Sequence, residues 1–176
     1  MSETAPAAQR RPPPSWAWLL LALAVLALDQ FSKWLVAREL PLDASIPVTG
    51  FFNLVHIENP GAAFSFLAGQ AGWQRWLFTA LGLGASLLIV AVLLRRRRRP
   101  LLGLALGLIL GGALGNVADR LLWGHVTDFL DFYLRTASGA WHWPAFNLAD
   151  SAIFLGAVAL LIDEQREARR RASRPG

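Results

Sequence analysis

In a chain of 176 residues, 55% of the side chains are hydrophobic and only 16% are charged, too little polar surface for an ordinary soluble domain of this size. The net charge of +5 sits in arginine runs beside apolar stretches, a pattern that orients a membrane protein better than it serves nucleic acid. Cysteine is absent, which excludes disulfide bracing, cysteine nucleophiles and thiolate metal sites.

Residues 1–15, with "PAAQRRPPPS", read as a disordered cytoplasmic tail. Trp16–Val36 is the first stretch long and apolar enough to cross a bilayer. No small-x-small cleavage pattern follows it cleanly, so it reads as a retained span and not a signal peptide. Asp29 lies late in this span, with Lys33 four residues on along the same helix face. The connection at about 40–72 contains "IPVTGFFNLVHIENPGAAFSFLAG", β-branched and aromatic residues between glycine and proline punctuation. It is expected to form a small β-rich cap, in which Phe51, Phe52, Phe64 and Phe66 cover a site or anchor at the membrane interface.

Trp73–Leu94 is the second span, and Arg95 to Arg99 join it to the third, Leu101–Ala118. Gly103, Gly107, Gly111 and Gly115 recur every four residues and form a groove on one face of the third helix. At its end, Asn116 and Arg120 share a face and Asp119 is adjacent. "HVTDF" reads as extended, with Val126, Asp128 and Leu130 directed to one side. The fourth span, Phe146–Ile162, places Asn147 and Asp150 in its first turn. Its stripe of Ala149, Ala152, Gly156 and Ala159 is expected to enter the glycine groove. Residues 163–176 form a basic tail.

Because Lys and Arg are retained on the cytoplasmic side, both termini and the middle linker are expected inside and the two longer connections outside. The fold class expected is an all-α membrane protein, four transmembrane helices with a small β-rich cap on the outer side, forming one domain over residues 16–162. In that topology Asp29, Asn116, Asp119, Arg120, Asn147 and Asp150 all lie near the outer interface, where Asp128 and Asp131 are also available.

Intramembrane carboxylates are functional candidates because their burial is costly. Asp29 with Lys33, and Asn116 with Asp119 and Arg120, read first as ion pairs and hydrogen bonds that order the outer helix ends. Asp128 and Asp150 have no basic residue at helical spacing. Were they to meet, two like charges would share a partly desolvated site and hold one proton near neutral pH. Such a pair suits amide hydrolysis: the ionised carboxylate takes a proton from water while the protonated one hydrogen-bonds the scissile carbonyl. Asn59 and Asn147 are candidate neutral donors, and Asp131 is a rival member of the pair.

Other chemistries fit less well. A serine–lysine mechanism needs Lys33 beside Ser32, yet Asp29 is an obvious partner for that lysine. His56, His125 and His142 are scattered, with no H-E-x-x-H for zinc, and read as loop or interface residues. The "GxGD" signature of presenilin-like and prepilin-peptidase enzymes is missing. A proton-coupled transporter needs relays reaching both sides, whereas the inner halves of spans two to four carry no acid. A pure scaffold leaves Asp150 unexplained.

The motifs "DQFSK" at 29–33, "NPGAAFSF" at 59–66, "GNVADR" at 115–120, "VTDF" at 126–129 and "FNLAD" at 146–150 together resemble lipoprotein signal peptidase, the bacterial signal peptidase II family, over nearly all of the chain from Asp29 to Ile162. The resemblance implies an intramembrane aspartic peptidase of the cytoplasmic membrane. It would cut diacylglyceryl-modified prolipoproteins before the lipidated cysteine, with no cofactor, metal or nucleic acid involved. Membrane lipid is a further expected partner, and a monomer the expected state. By motif, Asp128 and Asp150 correspond to the catalytic pair, and Asp29, Asn59, Asn116, Asp119, Arg120 and Asn147 match positions that shape the site or hold substrate. The segment Tyr133–Pro144, rich in tryptophan, and Pro60 after the asparagine are where this sequence departs from the family pattern.

Overall fold

The structure, a computed structural model, describes residues 14–61, 72–95, 99–137 and 139–173. The amino-terminal leader and the phenylalanines at 64 and 66 lie outside the described residues, and so do the expectations attached to them. In chain order the elements are α1 (Ser15–Glu39), β1 (Ser45–Pro47), β2 (Phe52–Asn59), α2 (Trp73–Arg95), α3 (Pro100–Leu122), β3 (Val126–Thr136), β4 (Gly139–His142) and α4 (Leu148–Ala172).

Helix α3 is the axis of the bundle and packs against each of the other three helices. Pro100 opens it at a position where the missing N–H costs nothing. At its far end the N–H groups of Trp123 and Gly124 both return to the Asp119 carbonyl, and Gly124 takes φ of +89°, a left-handed geometry that a side chain disfavours. Leu93 of α2, Ala22 of α1 and Leu102, Leu106 and Leu110 of α3 form the main apolar core. Facing outward, α1 exposes Leu20, Leu23, Leu28 and Phe31, and α2 exposes Leu81, Leu87 and Leu88. Among the described residues, α1, α2 and α3 are the helices long and apolar enough to cross a membrane.

Helix α4 departs from the expected span. Asn147 lies outside it as the N-cap, its side-chain oxygen accepting the Asp150 N–H at 2.9 Å. The helix therefore begins at Leu148 and its apolar run still ends at Ile162, while the helix itself continues through the basic tail to Ala172. Arg99, at the start of α3, joins this far part of α4 through Asp163 and, at 3.0 Å, Glu164.

The partner expected for the glycine groove needs correction. A Cβ at Gly103 would strike Trp18, one at Gly107 the Trp18 carbonyl, and one at Gly111 Ala22 and Val25, so most of the groove receives α1. Helix α4 packs instead where Gly112 meets the Ala149 carbonyl and where Gly156 meets the Ala105 carbonyl. Gly115 alone of the groove serves both neighbours: its Cβ would lie 2.5 Å from Asp29 Oδ2 and 3.3 Å from Ala149 Cβ.

The β-structure exceeds the cap expected from residues 40–72. Its four strands form one antiparallel sheet in the order β1-β2-β3-β4, so the second long connection supplies half of it, and the tryptophan-rich segment becomes the β3–β4 hairpin. Val36 and Leu40 at the end of α1 pack on Phe129 of β3, which fixes the sheet at the bundle end where α3 finishes and α4 begins. The register of β2 on β3 shifts by one residue between Leu54 and Ile57. Asn53 stands opposite Asp131 and Asn59 opposite Val126. Without that extra residue the two asparagines, six apart, would share a face. The bulge sends them to opposite faces, Asn53 toward Asp131 and Asn59 toward Asp128.

Candidate active site

Four motifs distant in sequence, with Asn59 and Gly61 of a fifth, converge at this junction of helix ends and sheet. The first part is a closed ionic cluster. Lys33, on α1 and 4% exposed, lies 2.8 Å from Asp29 Oδ2 and 2.6 Å from Asp119 Oδ2, and its ammonium donates to Asn116 Oδ1 at 3.0 Å. The other oxygen of Asp29 accepts the backbone N–H of Ala149 at 2.8 Å, satisfying one of the unpaired donors at the start of α4. Gln30 donates to Asp119 Oδ1 at 2.7 Å and to the Gly115 carbonyl at 3.2 Å. Gln30 had no role in the sequence reading, and Lys33 had only Asp29. One turn of helix gives Lys33 that neighbour, whereas its contacts on α3 arise from packing at Gly115.

Arg120 is also buried but serves different groups. It donates to the Asn116 carbonyl at 3.1 Å and to the Gly61 carbonyl at 2.8 Å, and its guanidinium lies over the Phe78 ring. Ser32 donates its hydroxyl to the Asp29 carbonyl at 2.8 Å, a back-bond within the helix.

The second part holds Asp128 and Asp150, which line the same cavity of about 700 Å³. Asp128, 2% exposed, accepts Asn147 Nδ2 on one oxygen at 2.7 Å and Asn59 Nδ2 on the other at 2.9 Å. Asp150 Oδ1 accepts Asn116 Nδ2 at 2.8 Å. Its Oδ2 has no hydrogen bond among the described residues. Burial, with the neighbouring Asp150 carboxylate adding to it, pushes Asp128 up to about 7 from its ordinary 3.8, against the opposing pull of the Asn59 and Asn147 amides. The rest of the cavity runs along Ile153, Phe154 and Ala157 of α4 and the stretch Trp143 to Phe146. It is an apolar trough with two carboxylates at one end.

Asp131 is placed elsewhere. Being three residues from Asp128 on a strand, it turns to the other face, where it accepts Asn53 Nδ2 at 2.7 Å and His142 Nδ1 at 2.9 Å. His125 lies 3.4 Å from Glu58. His56 is no loop or interface residue: it is buried, its ring against the Leu40 carbonyl at 2.9 Å. The described residues contain no cluster of metal-binding side chains. Phe51 and Phe52 both pack on Phe132, which stacks on Phe146 at the cavity wall.

Similarity to known proteins adds to this geometry. The family model described as signal peptidase (SPase) II matches residues 21–166. A lipoprotein signal peptidase of Cupriavidus necator is 55% identical over 153 residues, covering 87% of this chain and 85% of its own. Those of Burkholderia mallei and Burkholderia thailandensis are each 57% identical over 152 residues, covering 86% of this chain and 89% of theirs. A bacterial membrane enzyme solved by the in meso method at 2.3 Å resolution superposes with a TM-score of 0.80 at 25% identity, covering 96% of this chain and 99% of that one. A second, solved by the same method at 1.9 Å, gives 0.74 at 27%, covering 88% and 96%.

Proposed function

The chain belongs to the signal peptidase II family, and from that premise we propose that its peptidase chemistry is carried by Asp128 and Asp150, acting together on one water molecule. The observation that carries this reading is the shared cavity: two carboxylates with neutral amide partners stand at the end of an apolar trough. Asp128, held near 7, keeps the single proton of the pair at neutral pH and hydrogen-bonds the scissile carbonyl oxygen. Asp150, whose Oδ2 has no hydrogen bond among the described residues, takes a proton from the attacking water. Collapse of the tetrahedral intermediate then needs a proton on the departing nitrogen, which the Asp150 carboxyl returns. Asn59 and Asn147 keep Asp128 in place, and Asn116 does so for Asp150.

The substrate in this proposal is a prolipoprotein whose cysteine already carries diacylglycerol, cut just before that residue. Its acyl chains lie along Ile153, Phe154 and Ala157 of α4, entering sideways from the bilayer. Asp29, Asp119 and Arg120 shape the site without touching the reacting atoms. Helix α4 is the fourth membrane crossing, the arginine-rich ends face the cytoplasm, and the sheet and both aspartates lie at the outer face of the inner membrane. The enzyme acts as a monomer in that arrangement.

Purified enzyme reconstituted in lipid tests the substrate assignment. A diacylglyceryl-modified prolipoprotein is expected to be cleaved before its modified cysteine, and the same polypeptide without lipid to be left essentially intact. Equal rates on both would reject the assignment.

A further inference from the structure

Each of the three asparagines around the aspartates has its side-chain oxygen occupied by a group that can only donate. Asn59 Oδ1 accepts the Gly61 N–H at 3.0 Å, Asn147 Oδ1 the Asp150 N–H at 2.9 Å, and Asn116 Oδ1 the Lys33 ammonium at 3.0 Å. An ammonium has no acceptor, so the Asn116 atom facing it must be the oxygen. The amide is planar, and its nitrogen is then turned toward Asp150 Oδ1, 2.8 Å away. For Asn59 and Asn147 the pin is local backbone. For Asn116 it is a charged side chain on another helix, held by Asp29 and Asp119.

We propose that Lys33 is a positioning residue for the peptidase: by fixing the Asn116 amide in one of its two orientations, it keeps an N–H directed at the Asp150 carboxylate. This rests on the reading of Asp150 as the group that activates water. If the pin is lost, only the long contact from Asn147 Nδ2, 3.4 Å away, holds the Asn116 oxygen in place, and each turn of that oxygen toward Asp150 replaces an attraction with a repulsion at the group that must be held still. The ion pairs with Asp29 and Asp119 give Lys33 a structural role as well, and the experiment has to separate the two.

Lys33→Met alone would leave Asp29 and Asp119 facing each other without a cation. Combining it with Asp119→Asn keeps one excess negative charge in the cluster, as in the natural protein, and keeps an oxygen for Gln30. Measured against Asp119→Asn alone, the double variant is expected to lose roughly 10²-fold in kcat with KM little changed. Repeated on an Asn116→Ala background, adding Lys33→Met is expected to cost nothing further, because the amide it orients is gone. An unchanged kcat, a loss expressed in KM, or an equal loss on the Asn116→Ala background would overturn the proposal. Should the double variant not fold, Asn116→Asp with Lys33 intact keeps an oxygen for the ammonium and removes the N–H. It is expected to melt near the natural temperature with kcat lowered to a similar extent, and full kcat in that variant overturns the proposal. Wild-type turnover in Asp150→Asn would instead remove the underlying reading, so the two failures are distinguishable.

Discussion

Two pairs of carboxylates sit side by side in this protein, all buried but the half-buried Asp150, and are treated in opposite ways. Asp29 and Asp119 share Lys33, and their remaining oxygens accept N–H groups of Ala149 and Gln30. Asp128 and Asp150 accept hydrogen bonds from amides alone among the described residues, feel the charges of Lys33 and Arg120 without an ion pair to either, and open onto a cavity. A compensated charge has little left to do, whereas a poorly compensated one is held where its protonation can change in use. The first group also supports the second, since the same lysine that neutralises the cluster reaches Asn116.

The largest effect that separates the two groups is on turnover. Asp128→Asn and Asp150→Asn are each expected to lower kcat by roughly 10³-fold or more, with melting in detergent near that of the natural chain. Asp29→Ala should behave in the reverse sense: it removes one partner of a buried ion pair and an acceptor at the start of α4, and is expected to cost about 3 kcal/mol of stability. Thermal or denaturant unfolding in detergent reads this directly. If Asp29→Ala left stability unchanged while Asp150→Asn unfolded the protein, the comparison would be reversed.

A third test uses pH. Asp128 sits near 7 in the folded protein and near 3.8 when unfolded, so the folded state binds this proton more tightly between those values. The stability it contributes is fully present below about pH 3.8 and is lost as pH rises through about 7. Asparagine at this position mimics the protonated form and removes that dependence. The melting temperature of Asp128→Asn relative to the natural chain is therefore expected to rise between pH 5 and pH 8. A constant difference over that interval would place the titration elsewhere. The smallest effect belongs to the opposite end of the bundle, where Arg99 joins the buried Asp163 and the exposed Glu164. Arg99→Ala leaves Asp163 without its partner and is expected to cost about 2 kcal/mol, less than at a fully enclosed pair, and to leave kcat alone.

The helices and the convergence of polar motifs were legible because apolar length and helical spacing are properties of one segment. What was not legible concerns partners. Spacing put Gly103, Gly107, Gly111 and Gly115 on one face, but only packing decides that α1 fills that groove and α4 a neighbouring one. The alternation in "HVTDF" put Asp128 on one side but left Asp131 as its rival, because the bulge that gives each its own asparagine depends on the register between two strands. The span expected from Phe146 was shortened by Asn147 acting as a cap, a signal present in the sequence and outweighed by the apolar residues around it. Lys33 was assigned its i+4 neighbour alone, because its other contacts come from a chain segment more than eighty residues away.

Infrared difference spectroscopy of the carboxyl stretch across a pH titration addresses the account at its centre, the single proton held by the aspartates of the cavity. At pH 6 the natural chain should display a protonated carboxyl band that fades with a midpoint near 7 and is missing from Asp128→Asn. A band unaffected by that substitution, or no protonated carboxyl titrating between pH 5 and 8, would contradict it.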